Sequence, residues 1–271
     1  MKRDVRVVSA IPPRASRSED YADYLNVPRL MTVLVRDQQT GEYNAPHAHR
    51  HGQILYASSG TMRAMTEDGL WFLPPRRALW IPPGMVHDQL MLSPVNLRSL
   101  YIEPEVAQGF GQRCKVVEVS VMLRELILAL ADQPIEYAQE GRNTHIVGLI
   151  LHEIETARSL PLQIPWPTDR RLLMVCNGIL DHPEQPHSVE YWADRVGASP
   201  RTLIRLFLKE TGLTFRHWVQ QVRLATALDR LEQGQALGAV ARELGYASPS
   251  AFSAMFRRVM GESPRAFLSR E

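Results

Sequence analysis

The chain has 271 residues, 45% hydrophobic and 22% charged, which favours two domains and suits a globular protein with a real core. No apolar run approaches the roughly 18–20 residues of a membrane span, and no apolar signal core follows Met1-Lys2-Arg3-Asp4, so neither a membrane-embedded nor a secreted protein is expected. The net charge of +2 is too small to imply a nucleic-acid partner by itself. Its distribution says slightly more. Residues 168–271 carry 14 basic and 11 acidic side chains against 17 and 18 over residues 1–167, which tilts the C-terminal part toward an anionic partner. Cys114 and Cys176 offer neither a metal spacing nor a disulfide framework, and the reducing cytoplasm is the expected location.

Taken in chain order, residues 1–25 are rich in Arg, Ser, Asp and Pro and predict a flexible N-terminal arm. Residues 26–110 alternate short β-type runs with turn residues: Leu30–Arg36, Gln53–Ala57, Thr61–Thr66, Leu70–Leu73, Ala78–Ile81 and Leu97–Ile102. Strands this short and frequent predict an all-β barrel or sandwich. The period then changes over residues 111–160. Val116–Ala131 and Thr144–Arg158 carry apolar residues at helical spacing, which predicts a helical segment suited to dimerisation. Three prolines between Pro161 and Pro167 forbid a helix there and predict a linker. From residue 168 the pattern is helical, with Thr168 expected as N-cap and Asp169 in the first turn.

The strongest signal lies in residues 168–271. Val189-Glu-Tyr-Trp-Ala-Asp-Arg-Val-Gly-Ala-Ser-Pro-Arg-Thr-Leu-Ile-Arg-Leu-Phe207 has the layout of a helix-turn-helix. Ala193 sits where two helices cross, Gly197 takes the turn, and Ser199-Pro200 open the second helix as N-cap and N1. Trp192, Val196, Leu203 and Leu206 are expected to pack between the helices. The layout recurs from Val240 to Phe256, about 48 residues on, with one extra residue in the turn. Between the repeats, Phe215–Gln233 predicts a continuous helix capped by Thr214 and stopped by Gly234, roughly 28 Å long. Successive major-groove faces of B-DNA lie about 34 Å apart, so such a rod can hold two reading helices in adjacent grooves.

These residues, above all Ala241-Arg-Glu-Leu-Gly-Tyr-Ala-Ser-Pro-Ser-Ala-Phe252 and Phe256-Arg-Arg-Val-Met-Gly-Glu-Ser-Pro264, resemble the DNA-binding domain of AraC-family transcription regulators. Helix faces then nominate the residues that meet DNA. Arg201, Thr202, Ile204 and Arg205, with Lys209, face outward or flank on the first reading helix. Arg201 and Arg205, one turn apart, suit bidentate reading of guanine. On the second, Ser250, Ser253 and Ala254 are small, and Arg257 and Arg258 are expected to clamp phosphates.

In the N-terminal half, His47-Ala-His49-Arg-His-Gly-Gln53 and Pro82-Pro-Gly84-Met-Val-His87 carry a second set. In an extended strand, positions 47, 49 and 53 share one face, and a neighbouring strand that brings His87 alongside gathers three imidazoles, enough to hold a divalent first-row metal. The two segments resemble the paired motifs of the cupin fold. Gln53 stands where that family has a glutamate ligand, and Arg76 where it has a glycine. The resemblance implies a metal set of His47, His49, Gln53 and His87; the other reading of these residues is a pocket that takes an organic effector directly. His51 fits the motif less well, and His145, His152, His182, His187 and His217 have no assigned role.

The expected protein is thus a two-domain chain: an all-β cupin-like sensor with a helical extension, and an all-α tandem helix-turn-helix domain. It is read as a non-enzymatic homodimeric regulator that binds promoter DNA and a small-molecule effector. By family tendency it is an activator that works with RNA polymerase. The alternative is a cupin-type metalloenzyme fused to a DNA-binding module.

Overall fold

The computed structural model describes residues 22–185 and 188–268. The expected arm lies outside the described residues as far as Tyr21, and Ala22–Leu25 forms one helical turn, α1. The β-half is built from β1 (Met31–Gln38), β2 (Tyr43–His47), β3 (Gly52–Ser59), β4 (Met62–Thr66), β5 (Gly69–Leu73), β6 (Arg77–Ile81), β7 (His87–Met91), β8 (Val95–Ile102) and β9 (Lys115–Glu118). Two short strands, β10 (Ser159–Leu160) and β11 (Gln163–Ile164), follow the helices α3 (Val121–Ala131) and α4 (Arg142–Thr156). A further turn, α2 (Pro104–Ala107), leaves β8.

The strands form two antiparallel sheets, ordered β1-β8-β3-β6-β9-β10 and β11-β5-β4-β7-β2. Strand alternation divides the side chains between layers. Leu55, Ala57, Leu79, Ile81, Leu97 and Tyr101 point between the sheets with Met62, Ala64, Trp71 and Leu73 of the facing sheet. Their neighbours Ile54, Tyr56, Ala78, Trp80 and Leu100 point outward and are covered by Leu123, Ile127, Ile146, Ile150 and Ile154 of α3 and α4. Strand β3 is therefore buried on both faces over six consecutive residues, which explains its unbroken apolar run.

Three expectations need correction. The helix expected from Val116 begins at Val121, because Val116 and Val117 alternate between the inner and outer layers and pair with β6, and Ser120 caps the helix that follows. Strands β2 and β7 are not among the expected strands, because most of their inward positions are polar: Asn44, His87 and Gln89 are buried where apolar residues signal a strand elsewhere, and Met91 is the apolar exception. The N-cap of the next helix is Asp169, whose carboxylate accepts from the Arg171 amide at 2.9 Å. Thr168 is instead engaged by Glu210, which accepts from its amide and hydroxyl. The proline-rich stretch is extended, as its prolines dictate, and lays β10 and β11 on one sheet and then the other.

The helical half comprises α5 (Arg170–Asp181), α6 (Val189–Arg195), α7 (Pro200–Thr211), α8 (Phe215–Glu232), α9 (Leu237–Glu243), α10 (Pro249–Met260) and α11 (Pro264–Leu268). It sits directly on the β-half. Leu70, Phe72 and Ile164 join the core of α5–α8, and the core of α8–α11 is continuous with the layer between the sheets.

Candidate functional site

Each helix-turn-helix is assembled by the same local devices. Ser199 and Ser248 cap α7 and α10 by accepting from the amides of Thr202 and Ala251, and each is followed by a proline at N1. Gly197 and Gly245 turn the chain with φ of +65° and +75°, a region that disfavours a Cβ. Ala193 and Ala241 are buried where the paired helices cross. Thr214 caps α8, whose 18 residues span about 27 Å.

The inward face of α7 is Leu203 and Phe207, both fully buried, with Leu206 half-buried. Arg201, Ile204, Arg205 and Lys209 are exposed, and Leu208 with them; Thr202 is half-buried and its hydroxyl meets that of Ser199 at 2.9 Å. On α10, Phe252, Met255 and Phe256 form the inner face. Ser250, Ala254, Arg257 and Arg258 are exposed, Ser253 is half-buried, and Arg258 reaches Gln220 of α8 at 3.4 Å.

The histidines come together by a route other than the one read from their spacing. His47 ends β2, His49 lies in the following turn and Gln53 is on β3 of the opposite sheet, so no common strand face holds them. Antiparallel pairing places His47 directly across from His87, and the turn folds His49 back over both. Ring centroids are 4.3 Å apart for His47–His87, 5.3 Å for His49–His87 and 6.1 Å for His47–His49, and their ligand nitrogens lie within 4.8 Å of one another.

Each Nδ1 faces a backbone carbonyl: His47 that of Ala45 at 2.8 Å, His49 that of His51 at 2.8 Å, His87 that of Met85 at 2.9 Å. A carbonyl only accepts, so each Nδ1 carries a proton and Nε2 is the nitrogen left to meet a ligand, that of His49 also facing Gln53 Oε1. Burial lowers the His49 pKa; burial, with His47 second, drives that of His87 down to about 3. Both rings are therefore neutral near pH 7. Neutral imidazoles with the remote nitrogen fixed by a backbone carbonyl are what a metal ion requires of histidine ligands, and the buried Nε2 of His87 has no hydrogen-bond partner. This donor set fits a first-row divalent ion.

Gln53 stands behind the trio. Its side chain contacts His49 Nε2 at 3.0 Å and the Ser99 hydroxyl at 2.7 Å. The Gln53 amide oxygen faces His49 Nε2, and its NH2 donates to the Ser99 hydroxyl. His51 supplies a carbonyl to His49, and its ring is outside the trio. His187 lies outside the described residues. A band of buried amides beside the trio was not anticipated. Gln38, Asn44 and Gln89 are linked in sequence, Gln38 Nε2 to Asn44 at 3.4 Å and Asn44 Nδ2 to Gln89 at 3.1 Å. The available signal was a polar residue at the inward positions 44, 87 and 89 of β2 and β7, legible only once those segments are known to be strands.

Comparison with known proteins bears on both halves. Residues 30–158 match the model of the AraC-like ligand binding domain, and residues 192–270 that of a helix-turn-helix domain. The HTH-type transcriptional regulator NimR of Escherichia coli (strain K12) is 33% identical over 232 residues, 85% of each chain. The HTH-type transcriptional activator RhaS of Escherichia fergusonii is 36% identical over 99 residues, 36% of each chain. Among solved structures, ToxT of Vibrio cholerae aligns over 89% of this chain and 99% of its own at 11% identity, with a TM-score of 0.39. A ligand-binding β-half, a tandem helix-turn-helix half and similarity to NimR along most of both sequences converge: the chain belongs to the AraC family of transcription regulators.

Proposed function

We propose that this regulator reads promoter DNA with two unequal helices under control of an effector held in its β-half. The observation that carries the reading is the repetition of one capped, outward-facing helix at each end of α8. Arg201 and Arg205 of α7 are the guanine readers, with Thr202 and Ile204 beside them. The small Ser250, Ser253 and Ala254 of α10 let the backbone approach, and Arg257 and Arg258 bind phosphate. Specificity is thus concentrated at the α7 end.

In the β-half, His47, His49 and His87 would hold a divalent metal, with Gln53 positioning His49. When bound, the ion supplies a Lewis-acid anchor for an oxygen or nitrogen of the effector. The buried amides offer further donors and acceptors. Occupancy is relayed through the contacts between the halves: Arg158 with Glu262 at 2.6 Å and with the Met260 carbonyl at 2.9 Å, Thr61 with Asp229, and the Arg77 guanidinium over the Phe267 ring at 4.3 Å. An effector acts through these only by binding two states with different affinity.

The working form is a cytoplasmic homodimer. Val121 and Met122 of α3 and Leu149 of α4 are exposed apolar residues, and a groove of about 400 Å³ lined by Leu30, Tyr137, Val147 and Leu151 lies against α4. The activator role, with RNA polymerase as partner, is supported by the likeness of the DNA-binding part to RhaS. Metal analysis of the purified protein followed by genome-wide mapping of bound sites tests the reading. Paired half-sites in promoters and a bound divalent ion are expected. Binding spread without sequence preference would contradict the regulator; catalytic turnover by the metal-loaded protein would favour the enzyme reading.

A further inference from the structure

Ile204 is out of place for a helix that needs only to fold. The inward face of α7 is centred on Leu203 and Phe207, and Ile204 lies on its flank, roughly 80° around the helix, with 46% of its surface exposed. A β-branched residue also lowers helix propensity, so neither packing nor local structure accounts for it. It is the fifth residue of α7, within the N-terminal part that recognition helices present to base edges. Arg201 lies one turn before it and Arg205 directly after, both exposed and both suited to an anionic duplex. Leu208 follows one turn later, about 6 Å farther along the axis, where a helix leaves the groove.

In the major groove the thymine 5-methyl is the apolar feature among base edges that otherwise present hydrogen-bonding groups. An isoleucine over guanine O6 and N7, or over the amino group of cytosine or adenine, would desolvate those groups without pairing them, at a cost. Over a thymine it buries a methyl instead. We infer that Ile204 reads the 5-methyl group of a thymine, beside the guanines read by Arg201 and Arg205, and so fixes one position of the half-site. The inference rests on the reading of α7 as the base-contacting helix.

The test uses the full-length protein and duplexes enriched from a random-sequence library, in which each thymine of the enriched site is replaced singly by deoxyuridine, which lacks the methyl. One replacement should weaken wild-type binding roughly fourfold, the weight of one buried methyl. The same replacement should change the affinity of Ile204→Ala by less than about twofold. A site selected by Ile204→Ala should lose its preference for thymine at that position. Ile204 is 46% exposed, so the variant should keep the wild-type melting temperature. Sensitivity to the methyl that persists in Ile204→Ala overturns the inference. So does tolerance of every replacement by the wild type, which would make Ile204 and Leu208 a protein-contact patch. Failure to enrich any sequence would defeat the DNA-reading assignment itself, a distinguishable outcome.

Discussion

Arginine at position 205 and arginine at position 257 are both exposed on a reading helix, yet their surroundings separate their roles. Arg205 shares a face with Arg201, beside Ile204, whereas Arg257 is three residues before the end of α10, beyond the small residues that would meet the bases. Arg205→Ala should therefore erase the preference for the selected site while leaving affinity for random duplex nearly unchanged. Arg257→Ala should weaken both alike and reduce the salt dependence by about one phosphate contact. Gel-shift titrations at two or more salt concentrations check both outcomes; an equal loss on both duplexes for Arg205→Ala would contradict its assignment. The cysteines behave in the opposite manner, as interior side chains. Cys114 and Cys176 are buried, burial pushes the Cys114 thiol up to about 12, and it raises Cys176 well above the ordinary range. Thiolate is the reactive form, so a thiol reagent at pH 8 should label neither residue in the native protein and both after denaturation. Rapid native labelling would show that one of the two is accessible.

At the scale of elements, the local signals placed the helix starts of the repeat, although they put the α5 cap on Thr168, one residue before Asp169. Ser199, Thr214 and Ser248 cap where their sequence context places caps, because the capping bond spans only three residues. Packing between elements is a different matter. Gly178 occurs in the middle of α5, where glycine costs about 1 kcal/mol relative to alanine. The structure supplies the reason: a Cβ there would stand 2.2 Å from the Trp192 ring of α6, which is itself buried. The clash outweighs the gain in propensity, and Gly178→Ala should lose about 1–2 kcal/mol of stability as α5 is forced off the first helix-turn-helix. A thermal melt decides this, and a raised melting temperature would show that the two helices do not meet as closely as described.

For the whole molecule, the feature with most consequence is that the two halves share a core. Leu224, Leu228, Phe252 and Phe256 belong to the same apolar cluster as Leu55, Leu79 and Tyr101, and Trp218 donates from its indole nitrogen to the Pro165 carbonyl at 2.8 Å. Independent domains on a tether would unfold separately. Here calorimetry of the full chain should give one cooperative transition, with the β-half and the helical half melting together by tryptophan fluorescence and circular dichroism. Two well-separated transitions would contradict a shared core. Such continuity also carries contacts from the β-half to the residues flanking α10, through Arg158 to Glu262 and Arg77 to Phe267.

What the sequence determined by itself was the repeat: two helices, a glycine turn, a serine-proline start and the outward arginines, all set by interactions within a few residues and therefore written locally. It also named the three histidines that converge. What it could not determine was how they converge, because that depends on β2 and β7 pairing across more than forty residues, with polar side chains at the inward positions that usually announce a strand. The role of Gln53 depended in the same way on which atoms of His49 and Ser99 surround it. The seating of the helical half on the β-half was likewise decided only in three dimensions, since complementary apolar surfaces far apart in the chain leave no local periodicity to read.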